Sequence, residues 1–419
     1  MKSFLKKIVS KNIFKIYYIL VEFLIALFYG FPGKQLRIIG ITGTKGKSSV
    51  VYLASKVFEA SGYKVGATSS IEFKLGKKTS INKTKMTMPG RIVLQKFLRE
   101  CVKQKMDYVI LEITSEGLYQ NRQKFINFET ALFTNLFPEH IESHGSYENY
   151  KKAKGLLFKT LKGKGNAIIN TSYNESKYYL NFKAKEKHTF KSTDKLPFKT
   201  HLIGDFNKEN VLAVYNLARF YKIKKEIIKN ALDKIKFIPG RLDPIDMGQD
   251  FKVYVDYAHM PAALERVLQA LKSQISHPIV GQTNAKKVKN QKLIAIIGSQ
   301  GSNRDKWKRP EMGRIAVEYA DIVIITNEDP YKDNPWQIIE DIYRGAEKIQ
   351  NFKKQTKVIK ILDREFAIKK AIDAAEKNDI VLISGKGREP WMETAKGKIP
   401  WSDAKIAEKY LKLKTSNKF

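Results

Sequence analysis

The fold of this chain is decided by Gly40-Ile41-Thr42-Gly43-Thr44-Lys45-Gly46-Lys47-Ser48-Ser49. This stretch follows a mostly apolar run at residues 36–39, typical of a buried strand, and precedes a periodic apolar segment at residues 50–58, typical of a helix. Glycines at such a turn let the backbone approach phosphate oxygens, and the start of the helix offers unpaired N–H groups to them. Lys47 would neutralise the terminal phosphates, and the Ser48 hydroxyl would reach a Mg²⁺ ion. The stretch therefore predicts a loop that binds a nucleoside triphosphate.

The glycine spacing differs from the general pattern G-x-x-x-x-G-K-S/T. Ile41 stands where the first glycine of that pattern is expected, and the glycines are Gly40, Gly43 and Gly46. A glycine-rich turn without a ligand is the alternative, but the lysine and serine after a predicted strand favour phosphate binding.

Short apolar strands alternate with helical patterns from residue 36 onward, which predicts an α/β fold with parallel sheets and crossover helices. A break near residues 238–241 separates two such series. We therefore predict a central P-loop parallel-sheet domain at residues 36–239 and a C-terminal Rossmann-like domain at residues 240–419. The predicted strands are residues 37–41, 108–113, 130–135 and 167–170 in the first series and 252–256, 293–298, 322–326 and 380–384 in the second. Residues 272–292 are polar and basic without periodicity, so we predict an exposed loop there.

The composition indicates anionic partners without identifying one. The chain has 419 residues, with 77 Lys and Arg against 42 Asp and Glu, so its net charge is +35. This charge favours nucleotides, nucleic acid or anionic lipid. Because the lysines are scattered without a long basic tail, a general lysine bias is the alternative, and we expect no specific nucleic-acid partner. The single cysteine, Cys101, excludes an intramolecular disulfide and fits a cytoplasmic location.

The N-terminal segment, residues 1–35, is both basic and apolar. Lysines at 2, 6, 7, 11 and 15 precede or enter an apolar run at residues 16–31 that only Glu22 interrupts. Sixteen residues are fewer than the roughly 20 that cross a bilayer. We predict an apolar helix here, with three alternatives left open: a helix packed on the nucleotide domain, an interfacial anchor on an anionic membrane, or a true span.

Polar side chains cluster where predicted strands end, the edge at which open α/β sheets bind ligands. Glu112, Thr114 and Ser115 follow one strand. Residues 139–144 follow another and contain two of the chain's six histidines, His140 and His144, with two carboxylates. Imidazole and carboxylate groups at this density predict a divalent-ion site.

Several ordered motifs resemble those of the Mur ligase family, in particular the type that adds the third amino acid to the peptidoglycan stem. The resemblance spans nearly everything from residue 36 to about residue 410. The motifs are residues 40–49, 112–115, 134–145, 150–158, 204–210, 239–243, 255–261, 298–310 and 385–389.

The resemblance implies ATP-dependent amide formation through an acyl phosphate. Lys47 and Mg²⁺ would neutralise the transferred phosphate, with Glu112 and His140 as metal ligands. Lys154 matches the lysine that the family carbamylates to support a second metal; an ordinary surface lysine is the alternative.

The remaining site residues follow from the same resemblance. The expected ATP site comprises Gly43, Thr44, Lys45, Gly46, Lys47, Ser48, Ser49, Asn207, Asn210, Arg241, Asp256 and His259, with a buried structural histidine as the alternative for His259. The expected metal ligands are Ser48, Glu112, His140 and Lys154. The expected residues for the acceptor and the amino acid are Thr87, Thr114, Ser115, Arg122, Arg304, Glu328, Asp329, Tyr331, Gly385 and Glu389.

The chain departs from the family where the amino acid binds. Relatives that add diaminopimelate carry Asp-Asn-Pro-Arg, whereas this chain has Glu328-Asp329-Pro330-Tyr331. Without that arginine, and with acidic residues clustered, the site suits a side chain that ends in an amine, such as lysine or ornithine. Arg388 replaces the usual histidine of the G-K-G-x-E motif. Because this extra cation would bind a carboxylate, diaminopimelate remains an alternative substrate.

A second departure from the family lies in the N-terminal part of the sequence, where the nucleotide loop begins at residue 40. Family members of this type carry an N-terminal domain that holds a UDP-sugar. Either the basic surface holds the UDP group, or the acceptor is lipid-linked, which would give the apolar helix a purpose. A ligase similar to folylpolyglutamate synthetase and an inactive nucleotide-binding scaffold at the membrane are the alternative functions.

Overall fold

The computed structural model describes residues 11–82, 84, 86–139, 141–276, 291–302, 304–350 and 356–416. The chain forms two compact units. One contains the residues up to Thr200 together with Phe206–Ile235, and the other contains His201–Asp205 and the residues from Lys236 onward.

The first unit is built on an eight-stranded sheet. Its strands are β1 (Ile38–Thr42), β2 (Val65–Thr68), β3 (Glu72–Leu75), β4 (Lys78–Ile81), β5 (Tyr108–Glu112), β6 (Phe128–Phe133), β7 (Asn166–Asn170) and β8 (Lys187–Phe190). Its helices are α1 (Lys11–Phe28), α2 (Lys47–Ala60), α3 (Arg91–Lys103), α4 (Ser115–Tyr119), α5 (Ile141–His144), α6 (Tyr147–Lys159), α7 (Ser176–Leu180), α8 (Asp205–Phe220) and α9 (Lys225–Asp233).

Strand β1 lies at the centre of this sheet, between β5 and β6. The strand order is β4-β3-β2-β5-β1-β6-β7-β8, and only β3 and its two partners pair antiparallel. Both neighbours of β1 are parallel to it. The carboxyl ends of β1, β5 and β6 therefore meet at one edge, which brings the glycine-rich stretch next to the residues that follow β5 and β6.

The second unit is a six-stranded sheet with helices and a small hairpin. Its strands are β9 (Asp243–Pro244), β10 (Lys252–Asp256), β11 (Leu293–Ile297), β12 (Ile322–Thr326), β13 (Lys357–Ile361) and β14 (Ile380–Ser384), with β15 (Trp391–Thr394) and β16 (Gly397–Pro400) as the hairpin. Its helices are α10 (Pro261–Ser276), α11 (Lys308–Tyr319), α12 (Pro335–Gln350), α13 (Arg364–Ala374) and α14 (Asp403–Ser416). The order is β13-β12-β11-β14-β10-β9, and only β9 is antiparallel.

The α/β prediction is confirmed, and all eight predicted strands are present within two residues of their predicted limits. Most of their residues are buried apolar side chains, as expected for strands that are covered on both faces of a sheet. The prediction was wrong at residues 272–276, where α10 continues to Ser276. The rest of that predicted loop, residues 277–290, lies outside the described residues.

The predicted N-terminal helix is present as α1, and it packs on α3. Glu22 of α1 is completely buried, with its carboxylate 3.0 Å from Arg91 Nε and 3.2 Å from Gln95 Nε2. Among the described residues, no helix is long and apolar enough to cross a bilayer.

Candidate active site

The glycine-rich stretch forms the turn between β1 and α2. Gly46 directly precedes α2 and has a φ of +81°, which L side chains rarely adopt. A Cβ atom at this position would lie 2.2 Å from Asn210 Oδ1, so only glycine fits. Gly46 offers no side chain to cap the helix. The first N–H groups of α2, which include those of Lys47, Ser48 and the buried Ser49, are therefore oriented to receive an anion.

Lys47 and Glu112 meet beside this turn. Lys47 Nζ lies 2.9 Å from the Thr44 carbonyl oxygen and 3.9 Å from Glu112 Oε1. Glu112 ends β5 and is 2% exposed. The parallel pairing of β1 with β5 brings the two side chains together, so a cation for phosphates and a carboxylate for a metal lie at one edge of the sheet.

Ser70 links the predicted metal ligands Ser48 and Glu112. Ser48 Oγ lies 2.6 Å from Ser70 Oγ, and the Ser70 N–H donates to Glu112 Oε2 over 2.9 Å. The described residues contain no group of three or more His, Cys, Asp or Glu side chains placed to hold a metal. A hydroxyl and a carboxylate oxygen in one place nevertheless fit Mg²⁺, which usually takes one or two carboxylates and completes its shell with water and phosphate oxygens.

Lys154 of α6 reaches the same loop from the other side. Its Nζ donates to the Gly43 carbonyl oxygen over 2.7 Å and lies 4.5 Å from the centre of the Tyr150 ring. Burial lowers the pKa of this amine well below its usual range, and the positive charge of Lys47 lowers it further. The side chain is 2% exposed. The alternative of an ordinary surface lysine is wrong, because the side chain is buried. Burial also favours the neutral form of an amine.

The segment after β6 fastens the loop. The Lys45 N–H donates to Asn135 Oδ1 over 2.8 Å, and Thr134 Oγ1 donates to the Lys45 carbonyl oxygen over the same distance. Lys45 Nζ also pairs with Glu139 at 2.9 Å. Predicted ligand His140 follows Glu139 directly but lies outside the described residues.

Other predicted residues of the first unit surround the loop. Asn210 lies against Gly46 and donates to Asn207 Oδ1 over 3.2 Å. His144 Nε2 lies 3.1 Å from Ser115 Oγ, and burial lowers the pKa of His144, which favours the neutral imidazole. Thr114 caps α4 by accepting the Gly117 N–H.

Arg122 holds the segment in which Thr87 lies. Its Nη1 donates to the carbonyl oxygen of Met88 over 2.7 Å, and its Nη2 donates to Gln120 Oε1 over 2.8 Å. Burial lowers the pKa of Arg122, although a guanidinium stays charged. Thr87 is half-buried next to Met88. The structure thus ties Arg122 to Met88, the residue that follows Thr87.

In the second unit, the three predicted nucleotide residues lie around Tyr257. The Arg241 guanidinium lies 4.6 Å from the centre of the Tyr257 ring. His259 Nδ1 donates to the Tyr257 carbonyl oxygen over 2.8 Å. Asp256 is buried and accepts the N–H groups of Leu242 and Ala258 over 2.6 and 2.7 Å. Burial raises the pKa of Asp256. Asp256 therefore shapes the loop, and its expected contact with the nucleotide stays a prediction.

Glu328 is the unusual residue of the second unit. It is 1% exposed, and neither carboxylate oxygen accepts a hydrogen bond from the described part of the chain. Burial raises the pKa of Glu328 to about 7, against the lowering effect of nearby Arg364 and Lys308. A Cβ atom on Gly385 would lie 2.2 Å from Glu328 Oε2, so the glycine makes room for this carboxylate. Such an unsatisfied buried group needs a partner.

The other acidic residues at this place are already paired. Lys386 Nζ lies 2.8 Å from Asp329 Oδ1 and 2.7 Å from Glu389 Oε2. Asp329 and Tyr331 have φ values of +40° and +54°, which mark a strained turn around Pro330. The Tyr331 N–H donates to the carbonyl oxygen of Glu393 over 3.4 Å, and Arg304 is exposed.

Residue patterns alone missed four side chains that shape the two sites: Ser70, Tyr150, Lys308 and Lys386. Ser70 follows a short strand, β2, that the pattern did not predict. Tyr150, Lys308 and Lys386 lie within the motifs at residues 150–158, 298–310 and 385–389, but those motifs predicted no role for these three side chains. Tyr150 lies 3.0 Å from Thr44 Oγ1 through its hydroxyl group.

Two family models match the chain. The Mur ligase middle domain matches residues 41–196, and the Mur ligase glutamate ligase domain matches residues 240–387. A UDP-N-acetylmuramoyl-L-alanyl-D-glutamate–2,6-diaminopimelate ligase from Fusobacterium nucleatum subsp. nucleatum is 34% identical and aligns over 96% of this chain and 84% of that protein. This chain belongs to the Mur ligase family. A ligase of the same name from Aquifex aeolicus is also 34% identical, over 92% of this chain and 79% of that protein.

Solved structures agree with this membership. A structure of a UDP-N-acetylmuramoyl-L-alanyl-D-glutamate–2,6-diaminopimelate ligase shares 26% identity at a TM-score of 0.58, over 91% of this chain and 79% of that one. A folylpolyglutamate synthase from Mycobacterium tuberculosis has a TM-score of 0.65 over 95% of this chain and 98% of that one. Its identity of 14% shows a shared fold alone.

As a Mur ligase, the protein is an ATP-dependent ligase that forms an amide bond and releases ADP, with Mg²⁺ typical of its class. The predicted enzyme class and the predicted cofactors ATP and Mg²⁺ are confirmed at this level. When bound, the metal would neutralise charge on the nucleotide phosphates. Ser48 and Glu112 are the described residues that fit it.

Proposed function

We propose that this Mur ligase adds an amino acid to a UDP-N-acetylmuramoyl-dipeptide acceptor in peptidoglycan synthesis. The observation that carries the proposal is the convergence of Lys47, Glu112 and buried Lys154 on one glycine-rich loop. The names of the relatives support the acceptor. We assign residues 36–239 to the ATP-binding domain, residues 240–419 to the amino-acid-binding domain, and residues 1–35 to an N-terminal segment that contains helix α1.

The proposed reaction has two steps. A carboxylate oxygen of the acceptor attacks the γ-phosphorus of ATP, the bond to the β-phosphate oxygen breaks, and ADP leaves. The neutral amine of the amino acid then attacks the acyl carbon, phosphate leaves, and the nitrogen loses a proton. The N–H groups at the start of α2 orient the phosphates, and Lys47 offsets the charge that repels two anions.

We propose that Lys154 is carbamylated in the active enzyme. Carbamylation needs a neutral amine, and burial of Lys154 favours that form. The product is an anion, which would add oxygen ligands next to Glu112. The contact of the amine with the Gly43 carbonyl oxygen supports the proposal, because a carboxylate formed there would lie beside the phosphate loop.

We propose further that the incoming amino acid ends in an amine that pairs with Glu328. Asp329 and Glu389 both contact Lys386, whereas neither carboxylate oxygen of Glu328 accepts a hydrogen bond from the described part of the chain, so we assign Glu328 to the cation. Tyr331 stands where an arginine would meet a distal carboxylate. The second amine of lysine or ornithine therefore suits this place, and meso-diaminopimelate, named in the relatives, is the competing substrate.

An assay of phosphate release tests both the reaction and the amino acid. Purified protein is given Mg²⁺, ATP, UDP-N-acetylmuramoyl-L-alanyl-D-glutamate and one of lysine, ornithine or meso-diaminopimelate. We expect the highest kcat/KM with lysine or ornithine, and a shift toward diaminopimelate in Tyr331→Arg. Strict dependence on diaminopimelate would contradict the amino-acid assignment, and turnover only with folate and glutamate would contradict the acceptor.

A matched pair of variants isolates the role of Glu328. Glu328→Gln removes the charge but keeps the volume, and we expect the KM for the cationic amino acid to rise about tenfold while the KM for ATP stays unchanged. Asp333→Asn serves as the control, because the Asp333 carboxylate already lies 3.5 Å from Arg309 Nη2. Equal effects of the two substitutions would argue against a contact between Glu328 and the amino acid.

A further inference from the structure

Helix α1 turns an apolar face outward from the first unit. Seven large apolar side chains on it are between 40% and 83% exposed: Ile16, Tyr17, Leu20, Phe23, Leu24, Leu27 and Phe28. Their spacing of one, three and four residues places them on one side of the helix, and we call them the apolar stripe. A continuous exposed apolar surface of this kind marks a binding face for a protein or a membrane.

The opposite face of α1 carries the buried polar contact. Glu22 is completely buried between Arg91 and Gln95, and the Arg91 guanidinium lies 4.6 Å from the centre of the Tyr18 ring. A surface helix normally buries its apolar side and exposes its charges. Here the charged residue Glu22 is buried beside Ala26, while the large side chains of the apolar stripe stay exposed.

The charge of the surrounding sequence identifies the occupant. Glu22 is the only acidic residue among the first 58, whereas lysines occupy positions 2, 6, 7, 11 and 15. The sequence of this segment is therefore apolar and cationic apart from Glu22, which is buried. The cores of protein interfaces are depleted in lysine, while apolar faces flanked by lysines suit anionic lipid headgroups.

We infer that the apolar stripe docks the enzyme on an anionic lipid surface. Helix α1 has 18 residues, and no described helix is long and apolar enough to cross a bilayer, so α1 would lie in the plane of the headgroups. The stripe enters the acyl boundary, and the positive charge of the sequence that precedes it favours anionic lipid phosphates.

The docking also bears on the acceptor site, a consequence that rests on the proposed function. Arg91, the partner of Glu22, is the first residue of α3. The segment just before it contains Thr87 and Met88, and Arg122 fixes Met88. Attachment through α1 therefore brings the predicted acceptor segment close to the lipid surface, where a lipid-linked acceptor or its soluble precursor would be met.

Vesicle sedimentation with the full chain, without substrates, tests the inference. The probes are vesicles of phosphatidylcholine alone and vesicles that also contain phosphatidylglycerol. We expect binding to the anionic vesicles, weakened by high salt, and a loss of about tenfold or more in Leu20→Gln/Leu24→Gln. Leu413→Gln is the matched control, since Leu413 is also an exposed helical leucine, at 53%; it should bind as the unchanged protein does.

Two results would overturn the inference. One is the absence of binding to anionic vesicles, or equal binding with and without phosphatidylglycerol. The other is a dimer, measured by light scattering, that Leu20→Gln/Leu24→Gln converts to a monomer; the stripe would then be an interface between two copies. Neither result bears on the proposed ligase reaction, because the vesicle and light-scattering measurements contain no substrate. Phosphate release by the double variant on the soluble acceptor separates the two proposals.

Discussion

At the scale of single residues, burial decides the chemistry of Lys154. An exposed lysine keeps its proton at neutral pH, whereas this amine lies among Gly43, Tyr150 and the charge of Lys47. A lowered pKa means that the folded protein binds this proton less tightly than the unfolded chain does. The neutral amine is therefore present at a pH where an ordinary lysine has almost none.

We predict that activity depends on bicarbonate and on Lys154. Removal of carbon dioxide at mildly acidic pH should lower turnover, and bicarbonate should restore it more readily as the pH rises, because the amine loses its proton. Lys154→Ala should lower kcat by roughly 100-fold and abolish the response to bicarbonate. Incorporation of ¹³C-bicarbonate, followed by NMR, measures the carbamate directly.

The control for this prediction lies on the same helix. Lys152 is exposed, and Lys152→Ala should keep both the activity and the carbamate signal. A carbamate signal that persists in Lys154→Ala, or full activity in carbon-dioxide-free buffer, would show that the lysine acts unmodified.

At the scale of elements, the contact of α1 with α3 depends on one buried carboxylate. Burial raises the pKa of Glu22 to about 7, although Gln95 and Arg91 lower it. The folded protein thus holds this proton more tightly than the unfolded chain, whose glutamate titrates near 4.5. The contribution of Glu22 to the free energy of unfolding therefore decreases as the pH rises from about 4.5 to about 7.

We predict that Arg91→Ala releases α1 at high pH. At pH 8 it leaves an unpaired buried charge, and the docked state should lose about 3 kcal/mol; at pH 5 the carboxyl group holds its proton and the loss should be smaller. Amide hydrogen exchange in α1 measures the release. In Glu22→Gln, the α1 amides should exchange slowly at both pH values.

Lys96, exposed on α3, supplies the control for this pair. Lys96→Ala should leave the exchange of α1 unchanged. If the α1 amides of Arg91→Ala exchanged at the same rate at pH 5 and pH 8, Arg91 would not act by compensating the charge of Glu22.

At the scale of the whole molecule, each unit has its own apolar core. Leu157 belongs to the core of the first unit and Leu411 to the core of the second, and both are completely buried. Domains with separate cores often unfold in separate transitions, so a single melting temperature need not describe the chain.

We predict two thermal transitions in calorimetry that respond to different substitutions. Leu157→Ala and Leu411→Ala should each cost about 2–4 kcal/mol and lower one transition by roughly 5–15 °C, each affecting a different one. The two leucines are matched in type and burial. A single transition that both substitutions lower equally would show that the units unfold together.

The sequence predicted most of the fold because both sheets use mainly apolar strands of five or six residues in regular alternation with helices. All eight predicted strands are buried. The strands it missed are short or exposed, such as β4, where every residue faces solvent. The sequence of β4 has no apolar period, so only its pairing with β3 in the folded chain identifies it as a strand.

The sequence by itself predicted the phosphate loop at residues 40–49 and the α/β class, because glycine spacing and apolar periods are local properties. The position of Glu112 at a strand end indicated that residue, and the resemblance to the Mur ligases indicated Lys154. The tertiary structure decided what lies beside them. Strand order brings Ser70 between Ser48 and Glu112, burial lowers the pKa of the Lys154 amine, and the fold leaves the carboxylate of Glu328 unsatisfied. The loop at residues 40–49 is thus encoded locally, whereas protonation and pairing depend on neighbours distant in sequence, because a group's charge is set by its surroundings in the folded chain.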